Sequence, residues 1–388
     1  MESFGFWYKL VEDKDDKNPE FDLHVNFWFL GDILKGKVKN PYLDIGIKIQ
    51  NYKNLSNLVF SFPFHVPQKN LVDLASKMSV KNNASIVFNE ECEIETQKEY
   101  TLIKIPGKEK TDDKKLLIFP LEQAVENIYE LTDYKEKSYI TVKFDEFRTY
   151  LKNSGSDLER YSDIYIRFRI QNIDLENILY FDSEPFNKSL DSAFSGTRVL
   201  DFKINEKRNI DKNITARMEQ KEELLVEFGQ IHFLVMEPSS YDMVSYTQNQ
   251  MSCRELEKDL WNEYLKVDLE DKFGHVLAYH WKKKASDQSK ISDFSCFAKI
   301  NYQKMQMKTV FAYVLVVLGL GVAGSTIVSA TPLINTFSQR LSGGYNIVNL
   351  IMDLALAVVM IFIGWRVGRS KQLQKYLING CSLSHLIV

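Results

Sequence analysis

The stretch Ile164-Tyr165-Ile166-Arg167-Phe168-Arg169-Ile170-Gln171 decides how the chain is read. Side chains of an extended strand alternate between two faces. Ile164, Ile166, Phe168 and Ile170 therefore share one face, and Tyr165, Arg167, Arg169 and Gln171 share the other. The apolar row is expected to face a core. The row with one Tyr and two Arg is expected to face solvent, where it can stack on a base and bind phosphates. The plainer alternative is an exposed sheet face paired with acidic neighbours.

The same period of two runs through the preceding sequence. In Leu23-His24-Val25-Asn26-Phe27-Trp28-Phe29 the odd positions are apolar; Leu43, Ile45, Ile47 and Ile49 alternate with polar residues or Gly; Leu58, Phe60, Phe62 and Phe64 follow. This is the pattern of strands with one buried face, so the expected class is mainly β, of the α+β kind. Charge-rich stretches such as Glu12–Lys17 and Lys108–Lys115 read as solvated loops.

Two segments resemble each other. YLDIGIKIQNYKNLSNLVFSFPF runs from Tyr42 to Phe64, and YSDIYIRFRIQNIDLENILYFDSEPF runs from Tyr161 to Phe186. Ile49-Gln50-Asn51 matches Ile170-Gln171-Asn172, and Pro63-Phe64 matches Pro185-Phe186. Strand patterning does not demand those shared pairs, so a tandem duplication is expected, with two β-sandwich-like domains of similar size. The expected layout is a first β-rich repeat over residues 1–135 and a second over 136–285. A linker over 286–308 and a membrane segment over 309–388 follow. Asn70–Met78 has helical spacing. Ser252-Cys253-Arg254-Glu255 has the capping-box pattern and is expected to open a helix carrying Leu256, Leu260, Trp261, Tyr264 and Leu265.

The chain has 388 residues with 49 Lys+Arg and 52 Asp+Glu. Its net charge of −3 conceals an asymmetry: residues 299–388 hold eight Lys/Arg and one Asp, and the rest holds 41 Lys/Arg and 51 Asp/Glu. The acidic portion does not suit nonspecific nucleic-acid binding, so an anionic ligand needs a local basic site. Cys92, Cys253, Cys296 and Cys381 lack CxxC spacing and read as reduced thiols. No P-loop, HExxH, GxSxG or kinase set is present, which leaves no sequence ground for an enzyme, a metal or a cofactor. Gly319-Leu320-Gly321-Val322-Ala323-Gly324 spells GxGxxG without a βαβ context, and small residues for close helix contact are the better reading. His275 and His280 are five apart on an expected strand and so face opposite sides, which argues against a shared metal.

The C-terminus reads as a membrane hairpin. TVFAYVLVVLGLGVAGSTIVSAT, from Thr309 to Thr331, carries no charge and as a helix is long enough to cross a bilayer core. A second apolar run from Ile347 to Trp365 contains the single charge Asp353. Pro332–Asn346 between them reads as a turn. Lys299, Lys304 and Lys308 precede the first span, Arg366, Arg369, Lys371 and Lys375 follow the second, and the turn carries only Arg340. Both ends are therefore expected on the cytoplasmic side. The N-terminus lacks a basic start and an apolar segment, so no signal peptide is expected.

Gly321, Ser325 and Ser329 recur on one helix face. Asn346, Asn349 and Asp353 share a face of the second span, and Asn349, Ser325 and Ser329 are the expected relief for the Asp353 carboxylate. An ionisable group at that depth faces water or a bundle interior by default. A ring of Asp353 in a homo-oligomer favours cations.

The layout of a large cytoplasmic region followed by Thr309–Thr331 and Ile347–Trp365 resembles the two-span membrane effectors of bacterial anti-phage systems, of which the Hailong-type channel component is an example. That resemblance implies a nucleotide or oligonucleotide ligand, an enzyme producing it, and an ion-conducting oligomer in the bacterial inner membrane. The alternative is a membrane-tethered scaffold or assembly protein that conducts nothing. The charge distribution makes one expectation directly testable. A cysteine placed at Ser342 reacts with a membrane-impermeant thiol reagent on intact cells, whereas Cys381 does not; the opposite labelling would invert the topology.

Overall fold

The computed structural model describes residues 2–11, 18–29, 41–96, 100–107, 113–121, 128–134, 136–153, 161, 163–173, 179–182, 195–210, 212–239, 241–246, 251–266, 275–286, 289–303 and 307–336. Near the C-terminus it describes 354–355, 357–359 and 361–362. The protein is mainly β. The chain divides into one compact unit of residues 1–182 with 197–301 and another of 183–196 with 302–388.

Among the described residues the strands of the larger unit form three sheets. The largest has ten strands. Its central path runs β17 (Met251–Glu255), β18 (Val276–Lys284), β15 (Phe228–Pro238), β2 (Glu20–Trp28), β3 (Tyr42–Gln50), β11 (Ile164–Ile170), β8 (Lys114–Phe119), β7 (Thr101–Ile105) and β6 (Glu93–Thr96), with β5 (Leu71–Asp73) also paired to β11. The β15–β2 and β11–β8 pairs are parallel, and the other pairs are antiparallel. The second sheet orders β14 (Leu224–Leu225), β1 (Gly5–Leu10), β4 (Leu55–Phe62), β10 (Lys137–Lys143) and β9 (Tyr129–Tyr134). The third orders β12 (Leu179–Asp182), β13 (Ser195–Ile204), β19 (Phe294–Gln303) and β16 (Tyr241–Tyr246).

The alternation read from sequence explains how these sheets pack. Leu23, Val25 and Phe27 of β2, Ile45, Ile47 and Ile49 of β3, and Ile164, Ile166 and Phe168 of β11 are all buried on one face of the large sheet. The five-stranded sheet covers part of this face: Phe60 and Phe62 stand edge-on to Phe168, with ring centroids 5.2 and 6.2 Å away. The four-stranded sheet covers another part, where Phe202 stacks on Phe233 at 4.5 Å and Phe294 lies 5.9 Å from the same ring. Face-to-face packing of this kind buries apolar and aromatic side chains between the sheets, where they stabilise the fold.

Helices α1 (Ala75–Met78), α2 (Lys81–Phe88), α3 (Phe144–Asn153), α4 (Lys212–Lys221) and α5 (Lys258–Leu265) complete the unit. Two of them cover the other face of the large sheet. Phe88 of α2 sits 4.9 Å from the Tyr165 ring, and Trp261 and Tyr264 of α5 pack on Trp28 at 4.9 and 6.3 Å.

Several sequence expectations need correction. Tyr165, Arg167 and Arg169 are not a solvent-facing row, because α2 and α5 cover that face and bury all three residues. The two similar segments do not head separate domains: β3 and β11 are antiparallel neighbours in one sheet, with Gly46 opposite Arg167. The expected boundary at 135/136 falls between β9 and β10, which pair directly. The shared Gln-Asn has a local cause. Asn51 and Asn172 both adopt left-handed backbone, with φ of 56° and 52°, where Asn is tolerated. Each turns the chain out of the large sheet toward β4 or β12 of a covering sheet. Pro185-Phe186 lies outside the described residues.

The capping-box segment forms β17 instead, and the helix opens later, at Lys258. Cross-strand pairing to β18 fixes Met251–Glu255 as extended, overriding the local helix signal. Asn70–Met78 is split between β5 and the short α1. The expected linker 286–308 contains β19, which has a place in the four-stranded sheet.

In the smaller unit, helix α6 (Met307–Thr336) carries the first apolar run. Its side chains are described from Val310 to Thr326, short of the roughly 20 residues a bilayer core requires. Within that limit, no described helix is long and apolar enough to cross a membrane.

One buried charge lacks a close partner. Glu237 of β15 is fully buried, and neither carboxyl oxygen has a hydrogen-bond partner among the described residues. Burial pushes its pKa up to about 8, against the opposing pull of Arg198. The folded state thus keeps a proton that the unfolded chain releases near pH 4.5, so stability falls as pH rises from about 4.5 through about 8. Glu237→Gln keeps the shape without the ionisation. It is expected to raise the melting temperature at pH 8.5 by several degrees and to change it little at pH 5, as read by thermal unfolding at both pH values.

Candidate functional site

The helix-covered face of the large sheet is polar at its centre, and strand register sets its layout. One row across the sheet reads Lys282, His232, His24, Gly46, Arg167 on β18, β15, β2, β3 and β11. The next row toward one end reads Lys284, Gln230, Asp22, Lys48, Tyr165, and the next toward the other reads His280, Leu234, Asn26, Asp44, Arg169. Residues far apart in sequence therefore meet because each occupies the same face of its strand.

On the β3–β11 side this produces a closed ionic network. Asp44 is fully buried. It accepts from Arg169 Nε at 2.6 Å and Nη2 at 2.9 Å, from Trp28 Nε1 at 3.0 Å and from the Tyr264 hydroxyl at 2.8 Å. Arg167 donates from Nε to the Tyr264 hydroxyl at 2.7 Å and from Nη1 to the Tyr165 hydroxyl at 2.9 Å. Asn26, with its amide turned to satisfy both neighbours, accepts from Arg167 Nη2 at 3.2 Å. Burial alone would raise the Asp44 pKa, but the Arg169 guanidinium and its hydrogen bonds hold it below the ordinary value. Burial raises the pKa of both Tyr165 and Tyr264, so both phenols stay neutral. These groups contain two guanidinium charges and one carboxylate. Gly46 leaves the space they need: a Cβ there would stand 2.1 Å from the Tyr165 hydroxyl and 2.9 Å from Arg167 Nη1.

On the β2–β15–β18 side the same face opens into a cleft of about 590 Å³. His24, His232, His280, Asn26 and Gln230 are among its polar residues, and Lys48, Lys114, Lys282 and Arg254 bring positive charge. Ile86, Val87 and Phe88 of α2, Ile105, Leu116 and Trp261 make apolar walls. Asp22 and Glu90 are the acidic lining residues.

The histidines form a cluster. The His232 and His280 rings are nearly parallel at 5.0 Å, with His232 Nδ1 2.9 Å from His280 Nε2. His24 stands perpendicular to His232 at 5.0 Å and its Nδ1 lies 3.3 Å from the Tyr165 hydroxyl. Burial first, then neighbouring positive charge, pulls His232 and His280 down to about 4 and His24 well below its ordinary value, so all three are neutral at pH 7. Neutral imidazoles ringed by lysines and a buried arginine pair repel a cation and attract an anion. The apolar walls and the aromatic Trp261 suit a flat organic group beside the charge.

Tyr165, Arg167 and Arg169 thus lie beneath and beside the cleft, with Tyr165 reaching it through His24 and Arg167 through Asn26. Sequence reasoning missed His24, His232, His280, Lys48 and Lys282. Their only signal is a polar residue at every second place within otherwise apolar strands. His275, by contrast, lies outside the cluster at an exposed position beside Glu255. Ser325 is exposed on α6. The Ser329 side chain, Asn349 and Asp353 lie outside the described residues.

No family model matches the chain, and no curated protein matches it. Among solved structures, the Mu homology domain of Fcho1 from Danio rerio with bound Eps15 peptide is similar over 76% of this chain and 82% of that chain. The identity is 8% and the TM-score 0.15, too low for any inference about fold or role.

The network predicts a stability phenotype. Asp44→Ala leaves two buried guanidinium groups without their carboxylate and is expected to cost about 3–5 kcal/mol in denaturant unfolding. Glu at both 167 and 169 is expected to unfold the protein rather than release a ligand from it. The Asp44 contribution is present above its unfolded pKa of about 3.8 and is lost as pH falls below it.

Proposed function

We propose that the chain is a gated membrane effector: the β-rich unit senses an anionic ligand in the lysine- and histidine-lined cleft, and copies of the C-terminal hairpin assemble a pore. A nucleotide or oligonucleotide fits the pairing of positive charge with apolar and aromatic walls, and a role in anti-phage defence follows the layout of the chain. The ligand would come from a partner enzyme. Binding rather than turnover is the proposed activity.

The observation that carries the membrane part is the surface of α6. Phe311, Val314, Val317, Leu318 and Leu320 are about half exposed or more. Ala312, Gly319 and Thr326 recur every seven residues and so fall on one narrow seam. Ala312 and Thr326 are buried there, and a Cβ on Gly319 would stand 2.8 Å from Ile361 Cγ1 and 3.2 Å from the Ala357 carbonyl oxygen. Two helical segments therefore meet through small residues while large apolar side chains face away. That is the arrangement of helices packed in lipid, where close backbone approach replaces hydrophobic burial. The contact glycine is Gly319; a Cβ on Gly321 or Gly324 would meet nothing within 4 Å among the described residues. Gly321 and Ser325 lie on the face turned from the seam.

The fold also offers a route from cleft to hairpin. His232 lines the cleft, and the next residue, Phe233, crosses to the opposite face and packs on Phe294 of β19. β19 ends at Gln303, and α6 begins at Met307. A change in β15 at the cleft therefore bears on the strand that leads into the membrane segment.

The competing reading, a tethered scaffold, predicts no conduction. In proteoliposomes containing the full chain and the ligand recovered from cells, the wild type is expected to pass cations. Gly319→Ile is expected to reduce flux at least tenfold by forcing the two helices apart, while ligand binding is retained. Asp353→Leu is expected to reduce flux and Asp353→Asn to alter selectivity. A wild type that binds ligand and never conducts would establish the scaffold instead.

A further inference from the structure

We infer that the His232–His280 pair takes up one proton when a dianionic group settles in the cleft, so that the site binds the dianion and the proton together. This rests on the cleft being the ligand site and adds to it the charge class of the ligand and its pH dependence.

The geometry of the pair is the starting point. His232 Nδ1 and His280 Nε2 share one hydrogen bond at 2.9 Å. With both rings neutral, one nitrogen donates and the other accepts. An added proton must then go to an outer nitrogen. His232 Nε2 lies against the Gln230 side-chain amide. That amide can present its N–H to a bare nitrogen or, turned over, its oxygen to a protonated one. The pair can therefore hold either charge state without losing a hydrogen bond. His24 is held differently: it stands between Phe88, Tyr165 and His232, with its Nδ1 against the Tyr165 hydroxyl.

Burial first, and then the positive groups that face the pair from most sides, keep it neutral. β3 contributes Lys48, β8 Lys114, β17 Arg254 and β18 Lys282, and Arg167 of β11 lies behind His24. β2 adds Asp22 with His24, and Glu90 after α2 adds a second carboxyl. Tyr165 of β11 is neutral. A bound dianion reverses the local field and favours the charged imidazolium. The proton comes from solvent, and no bond other than the new N–H is made.

Binding raises the pair's pKa from its low value in the empty cleft, so the complex holds one more proton between the two values. Affinity must therefore rise as pH falls through the pKa of the complex, and level off below that of the empty site.

Sulfate is the probe, because it remains a dianion from pH 5 to pH 8. Equilibrium dialysis of radiolabelled sulfate against the full chain in detergent, at fixed ionic strength in chloride, gives its affinity at each pH. The wild type is expected to bind up to about tenfold more tightly per pH unit lowered. His280→Gln and, separately, His232→Asn are expected to flatten that slope, with melting temperature checked at each pH. Asp22→Asn is expected to keep it, as a control for the cleft carboxyl whose pKa burial raises. Calorimetry of the wild type in two buffers of different ionisation enthalpy should show proton uptake approaching one per site. Sulfate binding without pH dependence or proton uptake overturns this inference alone. A slope lost in Asp22→Asn, or kept in both histidine variants, also overturns it. No sulfate binding at any pH overturns the cleft as the anion site as well.

Discussion

The carboxylate of Asp44 holds the centre of the protein together. It accepts hydrogen bonds from Arg169, Trp28 and Tyr264, which come from β11, β2 and α5. Without it, two arginines would lie buried in a sheet with no counter-charge, and α5 would lose its polar anchor. Apolar packing could hold these elements at similar cost, and buried ion pairs are often no more stabilising than a well-packed apolar substitute. What the network adds is a fixed arrangement. Tyr264 meets Asp44 in one orientation only, and that places Trp261 of the same helix in the cleft wall.

A surplus of one positive charge follows from the same groups, and its position matters. Arg169 is neutralised by its two bonds to Asp44. Arg167 lies 3.8 Å from that carboxylate and spends its hydrogen bonds on two phenols and Asn26. Neutral partners spread the charge without cancelling it. The residues that carry it outward, His24 and Asn26, line the cleft. The network and the cleft are thus two ends of one electrostatic arrangement, with Gly46 leaving room for the join.

The fold was legible in the sequence up to the level of single strands. The apolar alternation at Leu23–Phe27, Leu43–Ile49 and Ile164–Ile170 correctly assigns strands and core faces. It says nothing about what covers the opposite face, and that omission misplaced Tyr165, Arg167 and Arg169 in solvent. Alternation of apolar and charged residues normally marks a half-exposed strand. Here the charges are paired across the sheet, and α5, from nearly a hundred residues further on, closes over them. The Gln-Asn repeat misled for a related reason: a left-handed turn after a sheet strand recurs wherever the backbone needs it, with or without duplication.

The histidine cluster was hidden by long-range register. His24 meets His232 through a parallel pairing between β2 and β15, and His280 joins through an antiparallel pairing with β18. No local spacing encodes either pairing. A one-residue slip in either would turn its histidine to the apolar face, where Phe233 and Trp281 now sit. Those two aromatic residues, buried and 5.8 Å apart, fix the register from behind. The site's chemistry on one face is therefore set by packing on the other. The alternation that separates polar from apolar residues also places His232, which lines the cleft, and Phe233, which packs on Phe294 of β19, on adjacent residues of one strand.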